Sequence, residues 1–325
     1  MHRQLLLLSA LAVTVLAAVP AHAQSTNWPT RPITLIVPFP PGGGTDAFAR
    51  PLAAQLSKQL GRQVIIDNRG GAGGTVGASI AAKAAPDGYT FFVGAVHHAI
   101  APSFYPKLDY DIEKDLVPLT TIANPPQVIV INASRVQADN LKDLLDQLRK
   151  APGKLNYGSA GNGTSHHLAG ELFKLQSQTY LVHIPYRGAG PALQDLVAGN
   201  VDVMFDGLGS SAQHIRAGRI KALAVAAPKR SSAFPNLPTA AEQGLPDYNV
   251  STWYALWGVK GTPQPILDRM HAEVVKALNT PDLKEIWASN GSEVTTMSPQ
   301  DFAKFLNGEI RRWAQVTKAS GAKLD

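Results

Sequence analysis

Four short stretches carry residue types able to do chemistry. In "FPPGGGTDAFAR", residues 39–50, Gly42, Gly44 and Ala47 fit the spacing G-x-G-x-x-[GA] behind an apolar run. Asp67 closes the next apolar run about 20 residues on, where a dinucleotide-binding fold places its ribose-binding acid. "NRGGAGGTVGAS", "YGSAGNGTSHH" and "PYRGAGPALQD" repeat the grammar. Each sits where an apolar run gives way to a helical pattern. Glycine at such a turn lets backbone N–H groups approach a ligand, and a helix N-terminus carries about half a positive charge. Anions suit these turns.

A nucleotide suits them less. Asp46 falls in the first turn of the helix and would repel a pyrophosphate, Pro40-Pro41 widens the turn, and no Lys follows Gly44 as a P-loop requires. The pairs His97-His98 and His166-His167 invite a metal, yet adjacent residues on a strand point to opposite faces and no further ligand has fitting spacing. No metal or cofactor is expected. One histidine of each pair can face a cleft, and His98 and His167 are the expected donors. Arg187 can clamp a carboxylate through two hydrogen bonds, or lie at the surface, or pair with Asp195. Asp46 and Asp206 would repel an anion directly, which leaves capping, holding water, or accepting from an amino or hydroxyl group. A hydrolase could recruit Ser159, His167 and Asp206, but Tyr157 stands at the first glycine of the G-x-S-x-G elbow. Trp253, Tyr254 and Trp257 share one apolar strand, where core packing is the ordinary role.

The elements that must position these residues alternate. The pattern predicts strands at 33–39, 64–67 and 90–93 with helices at 45–60 and 74–84 between them, a βαβαβ unit with a parallel sheet. A second series follows "ANPPQVIVIN": helices near 141–149, 165–175 and 191–198, and strands near 155–158, 181–184, 201–205 and 222–226. A strand "WYALWGV" and helices near 264–278, 281–289 and 299–319 complete the chain and return to the first unit. The chain thus crosses twice between two α/β lobes, near Thr120 to Pro125 and near Val225 to Lys229, and two crossings make a hinge.

Composition permits this plan. A chain of 325 residues with 45% hydrophobic content buries a sizeable core. Arg3, the apolar run Leu5 to Val19 and Ala21-His22-Ala23 read as a signal peptide cleaved after Ala23, implying export to the periplasm. The absence of cysteine excludes thiol catalysis and disulfides. The charge of +6 is mild, and Lys and Arg are scattered among acids without the basic stripe that nucleic acid needs.

The blocks "WPTRPITLIVPFPPGGGTDAFARPLA", "VIIDNRGGAGGTVGASIAAKAAPDGYT", "IPYRGAGPALQDLVAGNVDVMFD" and "LPTAAEQGLPDY" resemble the Bug-type periplasmic solute-binding proteins of tripartite tricarboxylate transporters, from about Trp28 to the C-terminus. The resemblance implies a two-lobed Venus-flytrap fold, each lobe a mostly parallel sheet flanked by helices. Residues 24–123 plus 227–325 would form one lobe and 124–226 the other. It implies a monomer that binds a carboxylate-bearing small molecule between the lobes, delivers it to a membrane permease, and performs no catalysis. Carried over by position, Phe39, Gly43, Gly44, Thr45 and Asp46, with Gly70 to Gly74 beside them, form the first-lobe site. Ser159, Ala160, Gly161, Asn162, Gly163, Thr164 and His167 face them with Tyr186, Arg187, Gly188, Ala189 and Asp206. Ala101 stands where the family often has Asn, which points to a less polar ligand such as an aromatic or longer aliphatic acid. A sensor for a signalling receptor and an exported enzyme acting on an organic acid are the competing readings.

Overall fold

The computed structural model describes residues 27–250 and 252–322; the signal-peptide residues lie outside that range. The first sheet gathers β1 (Ile33–Val37), β2 (Val64–Asn68), β3 (Thr90–Ala95), β4 (Leu116–Ala123) and β10 (Tyr254–Val259) in the order β2-β1-β3-β10-β4. The second gathers β5 (Gln127–Ile131), β6 (Asn156–Ser159), β7 (Val182–Pro185), β8 (Val203–Gly207) and β9 (Lys221–Val225) in the order β7-β6-β8-β5-β9. The two orders are equivalent. In each sheet one strand runs antiparallel, β10 against β3 and β4 and β5 against β8 and β9. Both antiparallel strands are the first that the chain lays down after crossing from the other lobe. The remaining pairs, β1 with β2 and β3 and β6 with β7 and β8, are parallel as the βαβ pattern requires.

Helices cover the sheets: α1 (Gly44–Leu60), α2 (Thr75–Ala82), α3 (His97–Phe104), α4 (Leu141–Lys150), α5 (Ser165–Ser177), α6 (Ala189–Ala198), α7 (Leu208–Arg216), α8 (Gln264–Leu278), α9 (Pro281–Ser289) and α10 (Pro299–Ser320). Phe48, Leu52 and Leu56 repeat at four-residue spacing on α1 and are fully buried, a stripe that packs against α8. On the opposite face of the first sheet, Trp257 and Trp253 meet Phe302 of α10 at ring-centroid distances of 5.0 and 6.1 Å. Helix α10 lies along α3 and reaches α5 of the second lobe.

Four elements depart from the sequence pattern, β5 among them, since Gln127–Ile131 falls in the stretch that precedes the second predicted series. Strand β4 gives no apolar run because Pro118 interrupts it and Thr120 and Thr121 break it; Pro118 is tolerated because β4 is an edge strand. His97 and His98 open α3 rather than continuing β3, and α7 forms from a stretch that begins Leu-Gly-Ser-Ser. The second crossing also lies later than the composition change near Val225 to Lys229. Val225 N donates to Pro238 O, Ala240 N to Val225 O and Val250 N to Ala226 O, so residues 238–250 stay on the second sheet. Trp253 O already accepts from Val96 N in the first lobe, which puts the return at residues 250–253. There the two crossing segments touch, Thr252 N donating to Pro125 O at 3.4 Å.

Phe302 has no solvent exposure and contacts three aromatic rings. Phe302→Ala is expected to cost about 3–5 kcal/mol of stability, measured by urea unfolding. A loss under 1 kcal/mol would show that α10 is not part of the folded core.

Candidate functional site

The strand order sets the place of the site. The C-terminal ends of β1 and β3 and the N-terminal end of antiparallel β10 share one edge, with Tyr254 opposite Ala95. The second lobe presents the corresponding edge, and the loops beyond the two edges meet. A cavity of about 10 Å3 lies between them, lined by Phe39, Gly43, Gly44, Thr45, His97, Ala160, His166, Ala189 and Tyr254. Helices α1, α3, α5 and α6 all begin at this cavity, two from each lobe. No side chain caps α1, α3 or α6. Their first-turn N–H groups and aligned dipoles therefore make the cavity attractive to an anion.

The lobes are held together around it. His97 Nδ1 accepts from Ser165 N of the other lobe at 3.0 Å, and Tyr105 donates its hydroxyl proton to Asn162 O at 2.7 Å. Gly73, at φ +61°, sits where a Cβ would lie 2.7 Å from Asn162 O. Gly44 has the tightest constraint, since a Cβ there would fall 1.9 Å from the Tyr254 hydroxyl. Burial, then the neighbouring Asp206, pushes that hydroxyl up from its ordinary pKa.

Six of the expected residues line the cavity: Phe39, Gly43, Gly44, Thr45, Ala160 and Ala189. The histidine choice is reversed: each pair opens a helix, α3 and the expected α5, and it is the other member of each pair that lines the cavity. His97 and His166 face the cavity, while His98 accepts from Ala95 N at Nδ1 and faces Gly74 O at Nε2, tying β3 to the loop at 71–74. His167 accepts from Gly163 N and stacks on His183 at 4.2 Å. Asp46 turns its carboxylate to Gly42 N, Arg50 and Asn68, the loop-bracing role of a cap. Thr164 caps α5 through His167 N. Gly161, Asn162 and Gly163 pack against Gly73, Tyr105 and Phe104 of the other lobe, and Gly188 against Pro40. Ser159 bonds to His183 Nε2 at 2.6 Å and accepts from Gly161 N, so its hydroxyl is engaged by a histidine other than the one expected of a hydrolytic triad. Tyr186 donates to Asp195, and Arg187 is exposed, away from the cavity lining. Asp206 is fully buried beside His166 and accepts from the Ser210 and Ser211 hydroxyls. Ala101 lies inside α3, not at the cavity.

Sequence reasoning passed over His97, His166 and Tyr254 as lining residues. The available signals were the helix starts at both histidine pairs, and the rule that the N-terminus of an antiparallel strand shares an edge with the C-termini of its parallel neighbours. Among the described residues no group of three or more His, Cys, Asp or Glu side chains could hold a metal ion.

Burial keeps the site histidines neutral. His97 is held well below the usual histidine value by burial, then by His166 and His98; His166 is lowered by burial against the opposing pull of Asp206. His98 is lowered to about 4 by burial, with its two backbone partners opposing. Unfolded histidine titrates near about 6.5, so His98 contributes stability that is present above that pH and lost as pH falls toward 4. Urea unfolding at pH 7, 6 and 5 should show a fall from this group of about 0.7 kcal/mol between pH 7 and 6 and about 1.2 kcal/mol between pH 6 and 5. His98→Gln is expected to flatten the slope, and an unchanged slope would contradict the assignment.

Comparisons with known proteins agree with this architecture. The family model for the tripartite tricarboxylate transporter family receptor matches residues 48–322. Protein BugT of Bordetella pertussis is 37% identical over 310 residues, 95% of this chain and 95% of its own. An R. palustris structure with adipate superposes with a TM-score of 0.88 at 37% identity, covering 91% of this chain and 100% of its own. MatC from Rhodopseudomonas palustris with bound malate superposes with a TM-score of 0.84 at 34% identity, covering 89% and 99%. The chain belongs to the tripartite tricarboxylate transporter receptor family, with the two-lobed α/β fold and the Bug-type kinship that its glycine loops implied.

Proposed function

We propose that this chain is a periplasmic solute-binding protein that captures a carboxylate-bearing small molecule between its lobes and delivers it to a tripartite tricarboxylate transporter. The observation that carries this reading is the meeting of four helix N-termini, two from each lobe, at one cavity. A carboxylate bound to the first-lobe loop would bring α1 and α3 their acceptor, and closure would add α5 and α6. Each N–H bond to a charged acceptor contributes more than a neutral one, so ligand binds the closed form better than the open form and shifts the population toward it. The structures with adipate and with malate support an organic acid as the ligand class. A permease that recognises closure would then accept only loaded protein.

Thermal denaturation of the mature chain with aliphatic, hydroxy, amino and aromatic mono- and dicarboxylates tests this. A ligand at 100 times its Kd stabilises by about 2.7 kcal/mol, a visible rise in Tm. Stabilisation by NAD or ATP alone would overturn the reading. Ala189→Asp places a carboxylate at the start of α6, 5% exposed on the cavity wall, and is expected to weaken acid binding about 100-fold through like-charge repulsion. Unchanged affinity in isothermal titration would move the carboxylate elsewhere.

A further inference from the structure

The two cavity histidines are fixed in opposite senses. His97 Nδ1 accepts from Ser165 N, so its proton sits on Nε2 when the ring is neutral, and His97 presents a donor. His166 faces the other way. Its Nε2 lies 3.6 Å from Asp206 Oδ1, and both side chains are buried, 3% and 0% exposed. Asp206 Oδ2 is taken by the Ser210 and Ser211 hydroxyls, while Oδ1 accepts no hydrogen bond. An imidazole nitrogen bearing a lone pair would repel that oxygen; one bearing a proton is attracted to it. Asp206 thus selects the tautomer with hydrogen on Nε2, leaving Nδ1 as an acceptor. That Nδ1 is buried and has no partner.

A buried acceptor without a partner is costly, about 1–3 kcal/mol, and here it belongs to a histidine that lines the cavity, beside helix N-termini that offer only donors. A plain carboxylate satisfies the helix N-termini and His97 but places oxygen against His166 Nδ1. A ligand that also carries a donor satisfies both. Resting on the reading that the cavity holds an organic acid, we infer that His166, positioned by Asp206, reads a hydroxyl or amino group on the ligand, so that the physiological ligand is a hydroxy- or amino-substituted carboxylic acid rather than an unsubstituted one. The expectation of a less polar ligand drawn from Ala101 is replaced by this, since Ala101 does not face the cavity.

The test uses the full mature chain and sets of acids matched in skeleton: the unsubstituted diacid, its 2-hydroxy, 2-amino and 2-oxo derivatives, with four, five and six carbons, each titrated calorimetrically. The expected result is at least about 10-fold tighter binding of a hydroxy or amino acid than of the unsubstituted or oxo acid of the same skeleton, because a site built to bond a donor rejects the analogue lacking it. The hydroxy and amino arms separate the two donors. In Asp206→Asn the amide oxygen keeps the two serine hydroxyls and the amide N–H faces His166, which reverses the ring tautomer. The preference for hydroxy over oxo acid should then fall at least about 10-fold or invert. Nitrogen-15 NMR of the ligand-free protein provides an independent readout, with the His166 proton on Nε2 in the native chain and on Nδ1 in Asp206→Asn. Tight binding of unsubstituted acids with no gain from a donor, or a proton on Nδ1 in the native protein, overturns the inference while leaving the carboxylate site standing. Failure of every acid to bind overturns both.

Discussion

Four helices start within one small volume, and the N–H groups of a first turn have no partners inside their own helix. This constraint organises the molecule. Two equivalent sheets point the C-terminal ends of their parallel strands at each other, so the turns after β1, β3, β6 and β7 deliver four positive dipole ends to the cleft. Glycines at the turns serve close approach as much as chain reversal: Gly44 lies under the Tyr254 hydroxyl, Gly73 against the facing lobe. No side chain caps α1, α3 or α6, and Asp46, in the first turn of α1, is engaged by Gly42 N, Arg50 and Asn68. What the fold leaves unsatisfied is what a ligand can supply.

The crossing topology explains how such a site can open. Each lobe borrows its antiparallel strand at the point where the chain arrives from the other, and the two connections run side by side at residues 124–126 and 250–253. Motion there leaves both sheets intact. Contacts made where the lobes meet include the hydrogen bonds of His97 with Ser165 and Tyr105 with Asn162 and the packing of Gly163 on Phe104 and Gly188 on Pro40, and in the proposed closure ligand bonds at the cavity would add to them. Helix α10 packs on α3 and touches α5, so it bridges the two lobes.

Much of this was legible from residue pattern. The βαβ units stand out because parallel strands buried on both faces read as unbroken apolar runs, and the glycine loops announce the turns after them. Strand β4 was hidden by Pro118 and two threonines, α3 by histidines that follow a strand without punctuation. The second crossing was misplaced because residues 227–250 have little regular structure and are held to the second sheet by scattered backbone bonds, which leave no periodic trace. The histidine choice was hidden in two ways: α3 starts at His97 with no signal after β3, and in the expected helix at 165–175 the pattern does not say which of two adjacent histidines faces the cleft. The pairing of His166 with Asp206 joins residues 40 positions apart on separate elements, and no local pattern encodes it.

The central claim is that a carboxylate occupies the meeting point of the helix N-termini. The most direct measurement is calorimetric titration of the best-binding acid against its neutral amide of the same shape, at two salt concentrations. The account predicts at least about a 100-fold loss for the amide, in line with the doubled strength of charge-assisted bonds, and little salt dependence for the acid because the buried charge is poorly screened. Equal affinity for acid and amide would contradict it.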